Sequence, residues 1–446
     1  MDTKPNLLFI FADQLRASAI GCMHDENVMT PNLDRLASEG MLFTNAIANS
    51  PVCTPSRASM ITGKHALNAR CFINDIRLPA DEPSIAEELN AAGYRSAYIG
   101  KWHLDGISRH MFTPPERRKG FDDYWAVYNC HHNYFDTKYY LNDSPDLIRV
   151  EGYEPEIQTD LAIDYLKGYK GNQPFNLWLS YGTPHAPYHL VPQRYKDMYP
   201  PDEIELRPNA ISPDCDALSG YYAHITALDD NVGRLMEALD ELGLRDNTLV
   251  VFTSDHGDML WSHMLRKKQL PFEESIHIPL ILRYPGVLDS DVRSDLMFSV
   301  ADLAPTIMSL LGQDVPSFME GENLHPHLVG DNTEEPDSVF INNYAAFDQN
   351  VGMQPWRGVR TKQYTYARWL QGSAILYDNV KDPYQLVNLA IDPVYAAVVD
   401  EMESKLQYWL DRVGDPFLTA EEHIERAGQK EEWQIREEHF HGGFNY

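Results

Sequence analysis

Short apolar runs that alternate with helical patterns constrain the fold of this 446-residue chain more strongly than any other feature. The predicted strands are Asn6–Ala12, Tyr94–Gly100, Phe175–Tyr181, Thr248–Ser254 and Pro279–Pro285. The predicted helices are Asn32–Glu39, Ser84–Ala92, Glu156–Tyr169 and Ala217–Leu242. Continuous apolar runs of this length are typical of parallel strands that are buried on both faces. The alternation therefore predicts an α/β fold with a large, mostly parallel central sheet sandwiched by helices.

The pattern changes near residue 332, within the polar, proline-containing segment "DNTEEPDS". The stretches "SVFINNY", "WRGVRTKQYTYARW" and "SAILYDN" follow, and their mixture of aromatic, β-branched and polar residues is typical of antiparallel strands. A helix is predicted over Pro393–Val413, and a charged tail over Arg426–Tyr446 is expected to wrap the surface. We therefore predict an N-terminal α/β domain over residues 1–332 and a smaller C-terminal α+β domain with an antiparallel sheet over residues 333–446.

Polar clusters follow four of the predicted strands at their carboxyl ends. They are Asp13-Gln14, Lys101-Trp102-His103, the segment "TPHAPY" with His185, and Asp255-His256-Gly257-Asp258. In open α/β sheets, ligands bind outside the carboxyl ends of the strands. If the four strands are neighbours, the clusters form one site.

The segment "SPVCTPSRASMITG", residues 50–63, contains a cysteine that packing alone does not explain. Thr54 is expected to cap a helix and Pro55 suits the first turn, so Cys53 should lie at a helix N-terminus, where the dipole favours negative charge. Arg57 follows four residues later and can fold back beside it. A buried structural cysteine and a thiolate nucleophile are both open interpretations.

Composition limits the partners of the chain. The 37 basic and 66 acidic residues give a net charge of −29, which repels nucleic acid and anionic membranes, so neither is an expected partner. An anionic substrate would need a locally positive pocket. Five cysteines without a CxxC pair do not suggest a disulfide framework, and we expect four of them to be inert, namely Cys22, Cys71, Cys130 and Cys215.

The location predicted from the sequence is cytoplasmic. The apolar run in "MDTKPNLLFIFADQ" is too short for a signal peptide, and no apolar run approaches the length of a membrane span. A secreted or periplasmic protein whose leader had been trimmed would look the same.

Two long segments resemble signatures of a known family. "PVCTPSRASMITG" and "GYRSAYIGKWH" are similar to the two signatures of the type I, formylglycine-dependent sulfatases of the alkaline-phosphatase superfamily. The resemblance continues through "DQ", "PHAPY", "TSDHGDM", "KQLPFEES" and the C-terminal "RGVRTKQYTY" and "LYDNVKDPYQLVNLA", so it covers essentially the whole chain. It implies an alkaline-phosphatase-like fold with a catalytic N-terminal domain.

The resemblance also implies a chemical role for Cys53. In the family this residue is oxidised to formylglycine by a formylglycine-generating maturation enzyme, which reads the following proline and arginine. The aldehyde hydrate has two hydroxyls, one to attack sulfur and one to expel sulfate afterwards. Arg57 would hold this hydrate.

A metal site follows from the same resemblance. It would consist of Asp13, Gln14, Asp255 and His256 with the residue derived from Cys53. Oxygen ligands suit a hard divalent cation, so Ca²⁺ is expected, with Mg²⁺ and Mn²⁺ as alternatives. Many relatives carry Asp where this chain has Gln14 and Asn where it has His256, and the imidazole admits Mn²⁺ or Zn²⁺ more readily.

Four further residues supply positive charge and hydrogen-bond donors for a sulfate group. They are Lys101, His103, His185 and Lys268. By resemblance, His103 assists collapse of the hydrate, and His185 and Lys268 flank the leaving oxygen. Lys268 is preferred to Lys267 because the pattern Lys-x-x-x-Phe-Glu fits the family.

Weaker candidates lie in the segments "RHMFTPPERRKG" and "YNCHHNYF". These segments contain Arg109, His110, His131 and His132. The four residues are candidates for binding a sugar, but ordinary surface positions explain them equally well. Asp105 fits either group.

Three functions compete. The first is a sulfuric ester hydrolase that acts on a sulfated carbohydrate or an aryl sulfate. The second is a phosphonate monoester hydrolase or phosphodiesterase of the same superfamily, which shares the metal set but tends to replace the Lys and His of "GKWH" by uncharged residues. The third is an inactive binding protein with the same fold, which the complete set of site residues disfavours.

Overall fold

A ten-stranded sheet runs through the computed structural model, which describes residues 4–23, 27–171, 173–331, 334–345 and 354–441. Its strands are β1 (Asn6–Asp13), β2 (Met41–Ile47), β3 (Arg95–Lys101), β4 (Tyr124–Tyr128), β5 (Thr137–Leu141), β6 (Leu147–Val150), β7 (Phe175–Pro184), β8 (Thr248–Ser254), β9 (Leu280–Arg283) and β10 (Val292–Ser299). A second sheet contains β11 (Val339–Asn343), β12 (Trp356–Arg360), β13 (Tyr364–Trp369) and β14 (Ala374–Asp378).

The helices flank these sheets. In chain order they are α1 (Pro31–Ser38), α2 (Cys53–Thr62), α3 (Ile85–Ala91), α4 (Glu154–Gly168), α5 (Gln193–Lys196), α6 (Cys215–Glu241), α7 (Glu273–Ile276), α8 (Leu303–Leu310), α9 (His325–Leu328), α10 (Ala396–Val413), α11 (Ala420–Ala427) and α12 (Lys430–His441). The four predicted helices of the N-terminal region correspond to α1, α3, α4 and α6. In the part of the chain that the structure describes, no helix is long and apolar enough to cross a membrane.

The strand order of the large sheet is β10-β2-β9-β8-β1-β7-β3-β4-β5-β6. Strands β8, β1, β7, β3 and β4 are consecutive parallel neighbours, so four of the predicted strands lie side by side. Every residue of β1, β7 and β8 is buried, which explains their continuous apolar character. The predicted α/β sandwich with a mostly parallel sheet is confirmed.

The prediction for Pro279–Pro285 was wrong in its direction. The strand found there, β9, runs antiparallel to both of its neighbours, β8 and β2. The connection from β8 to β9 holds the four-residue helix α7 rather than a long crossover helix. Because there is no crossover, β9 begins at the same end of the sheet at which β8 ends. A strand that begins there runs antiparallel to β8.

Alternate residues of β1 face two separate apolar layers. Leu7 and Phe9 belong to the layer under α2, α3 and α8, where Phe9 stacks on Trp178 with ring centroids 3.9 Å apart. Leu8 and Ile10 belong to the layer under α1, α4 and α6. This division follows from the two-residue period of a strand and fixes the sheet between helices on both faces.

The second sheet is antiparallel throughout, in the order β11-β12-β13-β14, as predicted. Helix α10 packs on it through Leu406 and Met402, which contribute to one apolar cluster with Phe340 and Val359. The predicted domain boundary between residues 332 and 333 falls outside the described residues, so the division into two domains stays a prediction.

The charged tail forms α12 from Lys430 and packs on the N-terminal half of the chain. The Arg436 side chain donates from Nε to the carbonyl oxygen of Asn74 at 2.6 Å, and Glu432 accepts from the backbone N–H of Arg77 at 2.6 Å. Residues 442–446, the end of the predicted tail, lie outside the described residues.

A buried ion pair ties β12 to the segment that follows α10. Arg357 contacts Asp415, and both side chains are fully buried. Burial alone would raise the pKa of Asp415, but the hydrogen bond from His423 and the charge of Arg357 hold it well below its usual value. This pair therefore stabilises the fold above the unfolded-state pKa of about 3.9 and loses its effect as the pH falls.

We predict that Arg357→Leu lowers the free energy of unfolding at pH 7 by roughly 3–5 kcal/mol, because it removes the guanidinium that compensates the buried charge of Asp415. The loss should shrink as the pH falls from 7 to 4 and below, because removal of Arg357 raises the pKa of Asp415, which then takes up a proton in the variant while it stays ionised in the wild type. Urea denaturation over this pH range measures both effects.

The matched control is Lys430→Leu, which removes an exposed ion pair with Glu425 whose two side chains are 62% and 66% exposed. It should change the unfolding free energy by less than about 1 kcal/mol. An Arg357→Leu effect that equals the control, or that does not change with pH, would contradict the prediction.

Candidate functional site

The carboxyl ends of four parallel strands and the start of α2 meet at one place. Asp13 ends β1 and Lys101 ends β3, while His185 follows β7 and Asp255 follows β8. Potential ligand atoms of four buried residues lie within 4.8 Å of one another, and these residues are Asp13, Cys53, Asp255 and His256. The structure thus brings together the polar clusters that the sequence placed at strand ends.

Cys53 is the first residue of α2 and is only 2% exposed. Its Sγ lies 3.1 Å from His256 Nε2 and 3.6 Å from Asp13 Oδ1. Burial and Asp13 would raise the pKa of the Cys53 thiol, but Lys268 and Lys101 outweigh them and hold it well below its usual value. The start of α2 therefore places a residue in a site that favours negative charge, as the sequence predicts.

The expected capping role of Thr54 was wrong. The N-cap is Val52, whose extended backbone begins the helix two residues earlier and which offers no capping side chain. The free N–H of Thr54 instead donates to Asn74 Oδ1 at 3.1 Å, and its hydroxyl donates to the carbonyl of His103 at 3.0 Å. Thr54 thus connects α2 to two loops that line the site.

Arg57 lies one turn after Cys53 and bridges the two carboxylates. Its Nε donates to Asp255 Oδ2 at 3.0 Å, and its Nη2 donates to Asp13 Oδ2 at 3.1 Å. Its Nη1 donates to the carbonyl of Lys101 and to Ser180 Oγ, both at 2.8 Å. The guanidinium is 1% exposed, so it is a buried positive charge that compensates the two buried carboxylates.

Lys101 contacts the same oxygen of Asp13 as Arg57, with Nζ 2.5 Å from Oδ2. Burial alone would raise the pKa of Asp13, but the charges of Lys101 and Arg57 hold it well below its usual value. The pKa of Asp255 is raised, because burial and the neighbouring charge of Asp13 both act against its ionisation. A divalent cation would relieve this repulsion, and the two carboxylates with an imidazole form a suitable donor set.

Lys268 and His185 form a second hydrogen-bonded group. Lys268 Nζ donates to His185 Nε2 at 2.9 Å and to Gln14 Oε1 at 2.5 Å. Because Nε2 accepts, the proton of the neutral ring lies on Nδ1, which donates to the carbonyl of Ala186 at 2.7 Å. Burial and the charge of Lys268 lower the pKa of His185 well below its usual value, in agreement with this neutral form.

Gln14 is oriented by a residue of the Asp255–Asp258 cluster to which sequence analysis gave no role. Gln14 Nε2 donates to Asp258 Oδ2 at 2.6 Å, and Asp258 also accepts from the hydroxyl of Tyr188 at 2.5 Å. A carboxylate only accepts hydrogen bonds, so it binds the nitrogen end of the amide and turns Oε1 toward Lys268. Asp258 is fully buried.

His103 contacts a carboxylate that sequence analysis missed. Its Nε2 lies 3.0 Å from Asp75 Oδ1, and Asp75 also accepts from Arg109 Nε and Nη2 at 2.7 and 2.6 Å. In the sequence, Asp75 lies in "CFINDIR", where an aspartate is also typical of an ordinary turn. No motif or period distinguishes it there.

The weaker candidates divide into two groups. His132 is half-buried and stacks on His185 with ring centroids 4.1 Å apart, so it lies beside the strand-end cluster. Arg109, 9% exposed, is bound to Asp75 and turned away from solvent. Asp105 instead pairs with Arg77 and Arg117, at 3.1 and 3.0 Å.

Two more histidines lie around the site. His131 Nε2 lies 2.6 Å from Glu154 Oε2, and His110 Nδ1 lies 2.9 Å from the Tyr128 hydroxyl. His110 is exposed, so it is the one of these two that faces solvent. Sugar binding by either histidine stays a prediction.

All five cysteines are free, as the absence of a disulfide pattern predicts. Burial raises the pKa of the Cys22 thiol to about 12 and that of Cys71 well above its usual value, which suits inert thiols. Cys130 differs: burial would raise its pKa, but His103 and Lys101 lower it to about 6. Sequence analysis found no signal for this environment.

Comparisons with known proteins agree with this fold and site. The family model described as Sulfatase matches residues 5–313, and the model described as N-sulphoglucosamine sulphohydrolase, C-terminal, matches residues 262–411. An ulvan-active sulfatase of Formosa agariphila is 41% identical over 433 residues, which cover 95% of this chain and 84% of that protein. An endo-4-O-sulfatase of Bacteroides thetaiotaomicron is 30% identical over 480 residues, which cover 93% of each chain.

Among solved structures, the yidJ protein of Bacteroides fragilis has a TM-score of 0.85 and 33% identity, and the match covers 94% of this chain and 97% of that one. The α/β sandwich and its buried strand-end site define a hydrolase of the alkaline-phosphatase superfamily. Within that class, the chain belongs to the sulfatase family and is a sulfatase. The resemblance seen in the sequence is confirmed.

Proposed function

We propose that this sulfatase removes sulfate from a sulfated carbohydrate, using formylglycine derived from Cys53 and a divalent cation. The observation that carries the proposal is the position of Cys53, whose Sγ lies 3.1 Å from His256 Nε2 and 3.6 Å from Asp13 Oδ1 at a helix start. A sulfated carbohydrate is preferred to an aryl sulfate because the two curated relatives described above are named for ulvan and for 4-O-sulfate.

The nucleophile requires a modified residue at position 53. When Cys53 carries formylglycine, its hydrate supplies one hydroxyl to attack sulfur as the ester oxygen leaves, and a second hydroxyl to re-form the aldehyde and expel sulfate. The charge distribution suits this step, because Lys101 and Lys268 favour negative charge at position 53. Conversion requires a maturation enzyme in the producing cell.

The proposed metal ligands are Asp13, Gln14, Asp255 and His256 with the modified residue. A cation bound there would polarise the attacking hydroxyl and neutralise sulfate oxygens. Ca²⁺ is the proposed ion because most donors are oxygens, and Mg²⁺ or Mn²⁺ are the alternatives that the imidazole of His256 leaves open. Arg57 holds both carboxylates in place from below.

The side chains that form the proposed sulfate pocket are Lys101, His103, His185 and Lys268. Lys101 and Lys268 supply fixed positive charge, which stabilises the sulfate oxygens in a loose transition state. His185 and Lys268 share a hydrogen bond, so this pair can deliver a proton to the departing sugar oxygen. His103 is proposed to assist the collapse of the hydrate.

A phosphonate monoester hydrolase or phosphodiesterase is the second candidate. Gln14 favours it, because a neutral amide at this metal ligand position belongs to the set that those relatives share. Lys101 and His103 argue against it, because those relatives tend to carry uncharged residues there. The match to the Sulfatase family model over residues 5–313 gives the sulfatase proposal further support.

We predict that active protein contains formylglycine at position 53, detectable by mass spectrometry of the peptide around it. Cys53→Ser should not turn over, because serine has a single hydroxyl and would retain sulfate as an ester. That ester should accumulate to one equivalent per protein molecule. The control Cys215→Ser changes a half-buried cysteine outside the site and should keep full activity. Multiple turnovers by Cys53→Ser would exclude the proposed chemistry.

We predict that Asp258→Asn lowers the affinity for Ca²⁺ roughly tenfold to a hundredfold, because Gln14 loses the carboxylate that turns its oxygen into the site. Isothermal titration of the metal-free protein measures this without turnover. In the control, Asp230→Asn removes a carboxylate that accepts from the Tyr195 hydroxyl at 2.8 Å, and the affinity should not change. Equal Ca²⁺ affinities in the wild type and both variants would show either that Gln14 is not a metal ligand or that Asp258 does not orient it.

We predict that sulfate monoesters are hydrolysed with a higher kcat/KM than phosphonate monoesters or phosphodiesters of the same alcohol. His185→Ala should reduce hydrolysis of sugar sulfates more than that of nitrophenyl sulfate, because a good leaving group needs no proton. Steady-state rates on matched substrates test both points. Higher kcat/KM values for phosphonates would favour the second candidate.

A further inference from the structure

Asp75 is a buried carboxylate beside the site and is held in an uncommon backbone conformation. It is 1% exposed and has a φ of 64°, in the left-handed region. Its N–H donates to Thr54 Oγ1 at 3.2 Å, directly next to Cys53 in the sequence. The loop around Asp75 is therefore attached to the helix that carries the reacting residue.

The side chain of Asp75 determines which nitrogen of His103 is engaged. Its Oδ1 lies 3.0 Å from His103 Nε2, and because a carboxylate only accepts, that nitrogen carries a proton. The other ring nitrogen, Nδ1, is buried, and the Cys130 thiol is the second hydrogen-bonding group that faces the ring. Asp75 thus fixes both the proton on Nε2 and the orientation of the ring.

Three charged or titratable groups face His103. Burial alone would lower the pKa of His103, but the Cys130 thiol and the hydrogen bond to Asp75 raise it to about 10, against the opposing charge of Lys101. Asp75 in turn faces Arg109, and Arg436 of α12 also acts on it. Removal of the negative charge at Asp75 should therefore lower the pKa of His103.

The loop that carries Asp75 is also held from outside by α12. Arg436, 3% exposed, binds the carbonyl of Asn74, and Glu432 binds the N–H of Arg77, so the two contacts flank Asp75 on both sides. Together with Arg109, these contacts fix the carboxylate in one orientation. Such support is what the placement of a catalytic imidazole requires.

We propose that Asp75 is a positioning residue of the sulfatase reaction, which holds His103 through Nε2 and so fixes the orientation of its imidazole in the site. The step that His103 assists rests on the proposed function. The positioning itself depends only on the geometry of Asp75, His103 and Arg109.

The test compares Asp75→Asn with Asp105→Asn. Asp105 is also 1% exposed, and it pairs with Arg77 and Arg117 rather than with a histidine, so its variant controls for the loss of a buried carboxylate in the same region. The pKa of His103 is measured by NMR in protein labelled with ¹³C-histidine, and the resonance is assigned by its loss in His103→Gln. Steady-state rates on a sulfate monoester are measured from acidic to alkaline pH.

We expect Asp75→Asn to lower the pKa of His103 by roughly one unit or more, and to lower kcat roughly tenfold to a hundredfold with a smaller change in KM. The limb of the pH–rate profile that reports the titration of His103 is the one that disappears in His103→Gln. In Asp75→Asn this limb should move to lower pH, whether the reaction uses the protonated or the neutral ring. Asp105→Asn should leave this pKa and this limb at their wild-type positions.

An unchanged pKa of His103 in Asp75→Asn would overturn the proposal, as would equal loss of kcat in both variants without movement of the limb. If Asp75→Asn does not fold, Arg109→Gln provides the test. This variant removes a positive charge that shares the Asp75 carboxylate with His103, so the pKa of His103 should rise. A fall or no change would again overturn the proposal.

Failure of the proposed function gives a different result. Wild-type protein would then lack formylglycine at position 53 or would not hydrolyse the sulfate monoester. The pKa of His103 in the two variants would still show whether Asp75 positions this ring.

Discussion

The bridge from Arg57 to Asp13 and Asp255 is the interaction on which the rest of the site depends. Two fully buried carboxylates lie close enough to share one guanidinium, and without it their repulsion and loss of hydration would oppose folding. Arg57 lies on the same helix as Cys53, one turn later. The helix that brings the reacting residue into the site therefore also brings the charge that keeps the carboxylates together.

The contrast between the site and the remaining surface follows from the same arrangement. The chain carries a net charge of −29, yet Lys101, Lys268 and Arg57 meet at the strand ends. All three are buried and hydrogen-bonded, which fixes them in direction. Fixed donors of this kind need no reorganisation when a negatively charged group enters, and this is the main source of electrostatic catalysis.

The sequence was sufficient to predict the features that depend on local pattern. Asp13 and Asp255 could be placed together because each follows an apolar run, and the carboxyl ends of parallel strands share one edge. The direction of β9 could not be predicted, since it depends on the connection from β8 rather than on the strand itself. Thr54 was misassigned because the capping position is set by the extended backbone of Val52. Asp75 was missed because its partners, His103 and Arg109, are 28 and 34 residues away and no periodic pattern links them.

The contact between α12 and the loop at Asn74 has a consequence for the order of folding. Arg436 and Asn74 are 362 residues apart in the sequence, and Glu432 and Arg77 are 355 apart. Contacts of such long separation carry the largest loop-closure entropy and form after local structure is in place. A chain whose large sheet has already formed would therefore still have an incomplete wall beside His103. We therefore expect the site to be completed late in folding, when the C-terminal helix of the described chain docks on the loop from Asn74 to Arg77.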